Sequence, residues 1–148
     1  MNYSVGKPGR VIVARLEDGD DIYKSIQGLC DSEDVKNGTV WFVGGIKNGG
    51  IVCGPEGDGS FPLTPHIEKF IDPREIVGFG TLFRNEQNKT VMHMHGGFGR
   101  GKSSIVGCAR KGADCWLITE AVIMEIDGVN AKRILDRESG FELLEIED

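Results

Sequence analysis

Apolar positions recur along this chain with two different periods, and the change of period divides the sequence. Arg10–Leu16 (RVIVARL) alternates apolar and polar residues and is rich in β-branched side chains, the pattern of a strand. Asp18–Asp21 (DGDD) then offers carboxylates to a helix N-cap and first turn. Ile22, Ile26, Leu29 and Cys30 follow at i, i+4, i+7 and i+8, which is one apolar face of a helix. Asn37-Gly38 ends this unit. From Thr39 onward the period is two. Thr39–Val43 (TVWFV) reads as a strand, and Ile46–Ile51 (IKNGGI) carries the Asn-Gly chemistry of a hairpin turn. Gly54–Pro65 is a Gly/Pro/Asp loop. Glu75–Phe83 (EIVGFGTLF) is a strand, Arg84–Lys89 turns it round, and Val91–His95 (VMHMH) pairs back. Gly96–Lys102 reads as a glycine loop and Ile105–Ala109 as a short strand. Trp116–Ile126 (WLITEAVIMEI) is the longest β-run; Gly128–Asp136 makes a turn and a short strand, and Phe141–Ile146 closes the chain. Turns this short force antiparallel neighbours, because parallel ones need crossovers of about a dozen residues. The fold class expected is α+β: a mostly antiparallel sheet with one main flanking helix, as a single domain over residues 1–148.

Composition supports strands and turns over long helices. Glycine accounts for 22 of 148 residues, about twice the roughly 7% of ordinary chains, with no collagen period. Lys plus Arg number 17 against 23 Asp plus Glu, a formal charge of −6. Such a chain lacks the positive field that draws proteins onto DNA or anionic membranes, so any DNA binding is expected to be weak and local, through Arg100 and Lys102. No apolar run approaches the roughly 18 residues of a membrane span, and residues 1–10 have no signal-peptide core. The four cysteines, at 30, 53, 108 and 115, form no C-x-x-C pair and no disulfide scaffold. Reduced thiols in a cytoplasm are expected.

Two patterns bear on chemistry. Gly96 to Ser103 fits G-x-x-x-x-G-K-[ST], the phosphate-cradling loop. Its context argues against that reading. The preceding strand is Met-His-Met-His where a doubly buried strand would be continuously apolar, and Ser104-Ile-Val-Gly107 is not the start of a helix. A flexible glycine loop is expected instead. His93-Met94-His95 is the stronger signal, since strand period two turns both imidazoles to one face. A metal there needs a third ligand, and Cys108 on the next strand or His66 in the Pro-rich region are the candidates. A His₂Cys set with an open fourth position suits zinc. Cys30 and Cys53 read as small apolar filler, and Cys115 has no obvious partner. Glu120, inside an apolar run, and Glu75, at a strand start, read as buried carboxylates that need a partner.

Taken in order, these segments resemble the PPC (plants and prokaryotes conserved) domain in its free-standing prokaryotic form. The similarity is carried by LEDGDD, VGGIKNGGI, REIVGFGTL, MHMHGGFGRG, ITEAVIMEIDG and AKRILDRESGFELL. It implies an antiparallel α+β fold, assembled as a homotrimer. Where many bacterial members have Gly-Gly-His-Leu after H-x-H, this chain has Val106-Gly107-Cys108-Ala109, which implies His93, His95 and Cys108 as the metal set. Plant members bind AT-rich DNA through a neighbouring AT-hook; Arg100-Gly101-Lys102 lacks its proline and basic flanks. The expected function is a metal-binding, DNA-associated or regulatory interaction module. The alternative is a small zinc-dependent enzyme in which Glu120 or Glu75 handles protons; no catalytic residue is assigned.

Overall fold

The computed structural model describes residues 1–110 and 112–146. Residues 111, 147 and 148 of the expected domain span lie outside the described residues. The elements are β1 (Lys7–Glu17), α1 (Ile22–Ser32), β2 (Asn37–Pro55), β3 (Pro65–Phe70), β4 (Arg74–Arg84), β5 (Thr90–Arg100), β6 (Ser103–Ala109), β7 (Asp114–Asp127), β8 (Ala131–Leu135) and β9 (Glu142–Ile146). The main sheet runs β1-β7-β2-β4-β5-β6, with β3 added to β2. Its pairings are antiparallel, as the short turns require. β6 also returns to β2, where Ile51 pairs with Ala109 and Val52 with Cys108. β8 and β9 form a separate hairpin.

The helix follows from its local sequence. Asp21 caps it, its Oδ1 accepting the Lys24 N–H at 3.0 Å. Ile22, Ile26 and Cys30 bury one stripe against Val40, Phe42, Leu82, Met94 and Ile123 of the sheet's inner face. Helix geometry ends at Ser32, and Asp34 takes a left-handed turn at φ 53°. Asn37-Gly38 therefore lies inside β2 and does not close the helical unit.

Three further differences from the expected layout have physical causes. No hairpin forms at Ile46–Ile51; β2 runs straight through. Neither Asn48 nor Gly49 takes the positive φ that a type I′ turn demands. The Asn48 amide instead spans to β7, donating to Asp114 Oδ2 at 2.8 Å and accepting the Asp114 N–H at 3.1 Å. The expected Gly96–Lys102 loop is mostly strand: β5 continues to Arg100, and only Gly101-Lys102 turns, with φ 60° at Gly101. Strand β6 follows where a phosphate loop would open a helix. Finally, β3 occupies a stretch with no strand signal, because only Phe70 of its six residues is buried.

The sheet is apolar on both sides. Opposite the core, Val13, Trp41, Val43, Val77, Phe79 and Val122 point to solvent. Glu75 and Glu120 lie on this outward side and are exposed, which corrects their reading as buried carboxylates. The buried acid is Glu125. Its two oxygens accept from Arg10 Nε and Nη2, both at 2.8 Å, and from the Arg10 backbone N–H at 3.0 Å. Two arginines, Arg84 and Arg133, are buried among the described residues; Arg84 braces the helix. It donates to Val35 O, Asn88 O and Asp31 Oδ1 at 2.9–3.1 Å, tying the helix end to the β4–β5 turn.

Arg10 hydrogen bonds and charge hold the Glu125 carboxyl below its ordinary value of 4.5. A depressed carboxyl contributes stability that is present above its unfolded pKa and is lost as pH falls through the folded one. Urea unfolding between pH 7 and pH 3 is expected to show a stability loss below about pH 4.5 that is smaller in Glu125→Gln. Equal acid sensitivity in the two proteins would contradict this assignment.

Candidate metal centre

β5 carries the H-x-H pair on its outward face. His95 lies opposite Phe79 of β4 on one side and Cys108 of β6 on the other, and Cys108 in turn lies opposite Val52 of β2. His93 and His95 point their Nε2 atoms at each other, 3.1 Å apart, with the rings 4.9 Å between centroids and inclined at 77°. The ligand atoms of His93, His95 and Cys108 all lie within 4.8 Å of one another. Two nitrogens each about 2.0–2.1 Å from a tetrahedral zinc would be roughly 3.3 Å apart, so the imidazole pair is close to ligating geometry as it stands.

Electrostatics favour the neutral ligand form of one imidazole. Burial, followed by the charges of Arg133, His95 and Arg110, pulls the His93 pKa down to about 4, so this ring keeps a free lone pair at neutral pH. Burial pushes the Cys108 thiol up, with Arg110 opposing. A metal entering here would therefore displace the thiol proton.

The other candidates fall elsewhere. His66, on β3, faces Glu56 with Nδ1 3.4 Å from Oε1 and does not join the cluster. Cys30 is buried under the helix, and Cys53 is exposed. Cys115 is buried, with its thiol against Leu16 O at 3.5 Å and the Thr119 hydroxyl donating to it at 3.2 Å. Neither Glu75 nor Glu120 lines a cavity beside the three ligands. Arg100 and Lys102, the expected DNA contacts, lie at the β5–β6 turn, and Arg100 is paired with Asp72 at 2.7 Å.

Two cavities flank the cluster. One, of about 280 Å³, lies between the cluster and the β2–β3 connection, against Val52, Pro55, Leu63 and Pro65. The other, of about 270 Å³, runs toward the helix and the β8–β9 hairpin. Arg110 and Phe141 line both, and Arg133 and Tyr23 line the second. Sequence reasoning did not find these four. The signal available was the alternation in AKRIL, which puts Arg133 on the same face as the buried Ala131.

The chain matches the family described as the Plants and Prokaryotes Conserved (PCC) domain over residues 3–127. No curated protein matches it. Among solved structures it is similar to a metal-containing protein from Archaeoglobus fulgidus, at 17% identity and TM-score 0.82, covering 97% of this chain and 98% of that one. It is similar to a plant- and prokaryote-conserved (PPC) protein from Pyrococcus horikoshii, at 17% identity and TM-score 0.83, covering 100% and 99%. It is also similar to a candidate DNA-binding protein from Bacteroides thetaiotaomicron, at 15% identity and TM-score 0.77, covering 98% and 100%. At these identities the likeness is one of fold.

Proposed function

The chain belongs to the Plants and Prokaryotes Conserved domain family, and on that footing we propose that it is a trimeric, zinc-binding interaction module with His93, His95 and Cys108 as the metal ligands. The observation that carries this reading is the convergence of two imidazole nitrogens and one thiol sulfur on a single point of paired β-strands. Nitrogen and sulfur donors select zinc over magnesium or calcium, which take oxygen. The metal-containing Archaeoglobus relative agrees with the reading.

The trimer reading is supported by the outward sheet face. Monomers rarely expose contiguous apolar patches beyond a few hundred Å², yet Val13, Trp41, Val43, Val77, Phe79 and Val122 are all at least 36% exposed on adjacent strands. A single domain spanning 1–148 and a cytoplasmic location, in keeping with four unbridged cysteines, are part of the proposal. No helix of the described residues is long and apolar enough to cross a membrane.

A DNA-associated role is the natural extension from the Bacteroides relative. It meets a net charge of −6 and an Arg100 already neutralised by Asp72, so contact with DNA would be weak. The second reading, a small zinc-dependent enzyme, is favoured by the two cavities that reach the ligand atoms. A bound zinc with an open position would activate water there. In that reading Glu142, which lines the second cavity with His93 and Cys108, takes the place of Glu75 and Glu120.

Zinc per chain, measured by elemental analysis, should approach one equivalent in the wild type and in Cys115→Ser and fall by tenfold or more in Cys108→Ser. Equal zinc in all three, or none in the wild type after refolding with zinc, would remove Cys108 from the set. Light scattering should give about three times the 16.1 kDa chain mass, and less for Val122→Glu; a wild-type mass near 16.1 kDa would end the trimer reading. In gel shifts, DNA binding should vanish between low and physiological salt. Tight, sequence-selective binding at physiological salt would refute the interaction mode described.

A further inference from the structure

Arg133 is an unusual residue to find inside a small protein. It is 6% exposed, and among the described residues no carboxylate lies within ion-pair distance of it. Its Nη2 donates to the Thr81 hydroxyl at 2.9 Å and its Nη1 to the Glu142 backbone carbonyl at 3.4 Å, while the guanidinium lies 5.8 Å from the Phe83 ring centroid. Its Nε is buried with no hydrogen-bond partner among the described residues. A buried guanidinium held only by neutral groups is costly unless an anion completes it.

The second cavity beside the cluster supplies room for that anion. Arg133 and Arg110 both line it. Arg110 stacks over Phe141 at 5.6 Å and has no carboxylate within ion-pair distance among the described residues. Among the described residues the cavity's one carboxylate is Glu142, which accepts from Asn85 Nδ2 at 3.1 Å and acts on Arg133 by charge without forming an ion pair. Two guanidiniums thus share one space with, among the described residues, no ion-paired acid on either. The rest of the wall is mixed: Val91, Met92, Phe141 and Leu143 give an apolar side, and Tyr23, His93 and Cys108 a polar one. At about 270 Å³ the space falls just below the roughly 300–1,000 Å³ of drug-sized sites, so its occupant is small.

We infer that the cavity between Arg110 and Arg133 is a binding site for a small organic monocarboxylate, its carboxylate held by the arginine forks and its short carbon chain against Met92, Phe141 and Leu143. Planar carboxylates match guanidinium forks, and the apolar wall disfavours a fully hydrated inorganic anion. The inference goes beyond the metal reading but shares its ground, since His93 and Cys108 also line the cavity; the anion contacts it invokes are those of the arginines.

The test is an amide NMR titration of the full chain as purified with butyrate, its neutral isostere butyramide, and inorganic phosphate. Butyrate is expected to shift the Ala109, Phe141 and Leu143 amides saturably, and butyramide and phosphate to do so at least about tenfold more weakly. Arg110→Gln should weaken butyrate about tenfold, the loss of one charge-assisted contact. Because Arg133→Gln could unfold the chain, Arg133→Lys serves as the second variant: it keeps the charge, loses the fork and should also weaken butyrate. Zinc content is measured on the same samples, so failure of the metal reading does not register as failure of this site. Unsaturable shifts, equal binding of butyramide, phosphate binding as tight as butyrate, or unchanged affinity in Arg110→Gln would overturn the inference.

Discussion

The backbone pairing of β6 with the second half of β2 is the constraint on which the rest of the site depends. β2 has 19 residues, and it spends the first half on β4 and β7 and the second on β3 and β6. That division of partners sets Val52 against Cys108 and Cys108 against His95. A slip of one residue would turn Cys108 to the other face, since side chains alternate along a strand. Gly107 makes the close approach possible: a Cβ there would collide with the Val52 carbonyl oxygen. One register therefore brings a sulfur from β6 to two nitrogens on β5.

The same row of paired residues links the candidate metal centre to the outward face. Val13, Val122, Trp41, Phe79, His95 and Cys108 lie side by side across five strand boundaries. The apolar face thus ends at the ligands, and the cavities open where it meets β8–β9 and the β2–β3 connection. An assembly that covers Trp41 and Phe79 would cover the approach to His95 as well, so association and ligand access are coupled by position on one sheet face.

Much of this was legible in the sequence. Strand alternation, the helix stripe of Ile22, Ile26 and Cys30, and the shared face of His93 and His95 follow directly from side-chain period. Cys108 was the natural third ligand from its place on the next strand, with His66 the rival, and the family resemblance pointed to the same residue. What escaped was tertiary. Asn48-Gly49 carries turn chemistry, but its amide serves Asp114 across the sheet. Glu120 looked buried because its neighbours are apolar, yet they are apolar on a face that the isolated chain leaves exposed. Arg133 was not singled out, because only the packing of the β8–β9 hairpin against Thr81 and Phe83 buries it.

The central claim is that β5 and β6 together present two nitrogens and one sulfur to a single zinc ion. X-ray absorption at the zinc edge of the loaded protein tests it most directly, because it reports donor atoms and distances. The account predicts a first shell with nitrogen or oxygen scatterers at about 2.0–2.1 Å and one sulfur at about 2.3 Å, the sulfur disappearing in Cys108→Ser. A shell of nitrogen and oxygen alone in the wild type would contradict it.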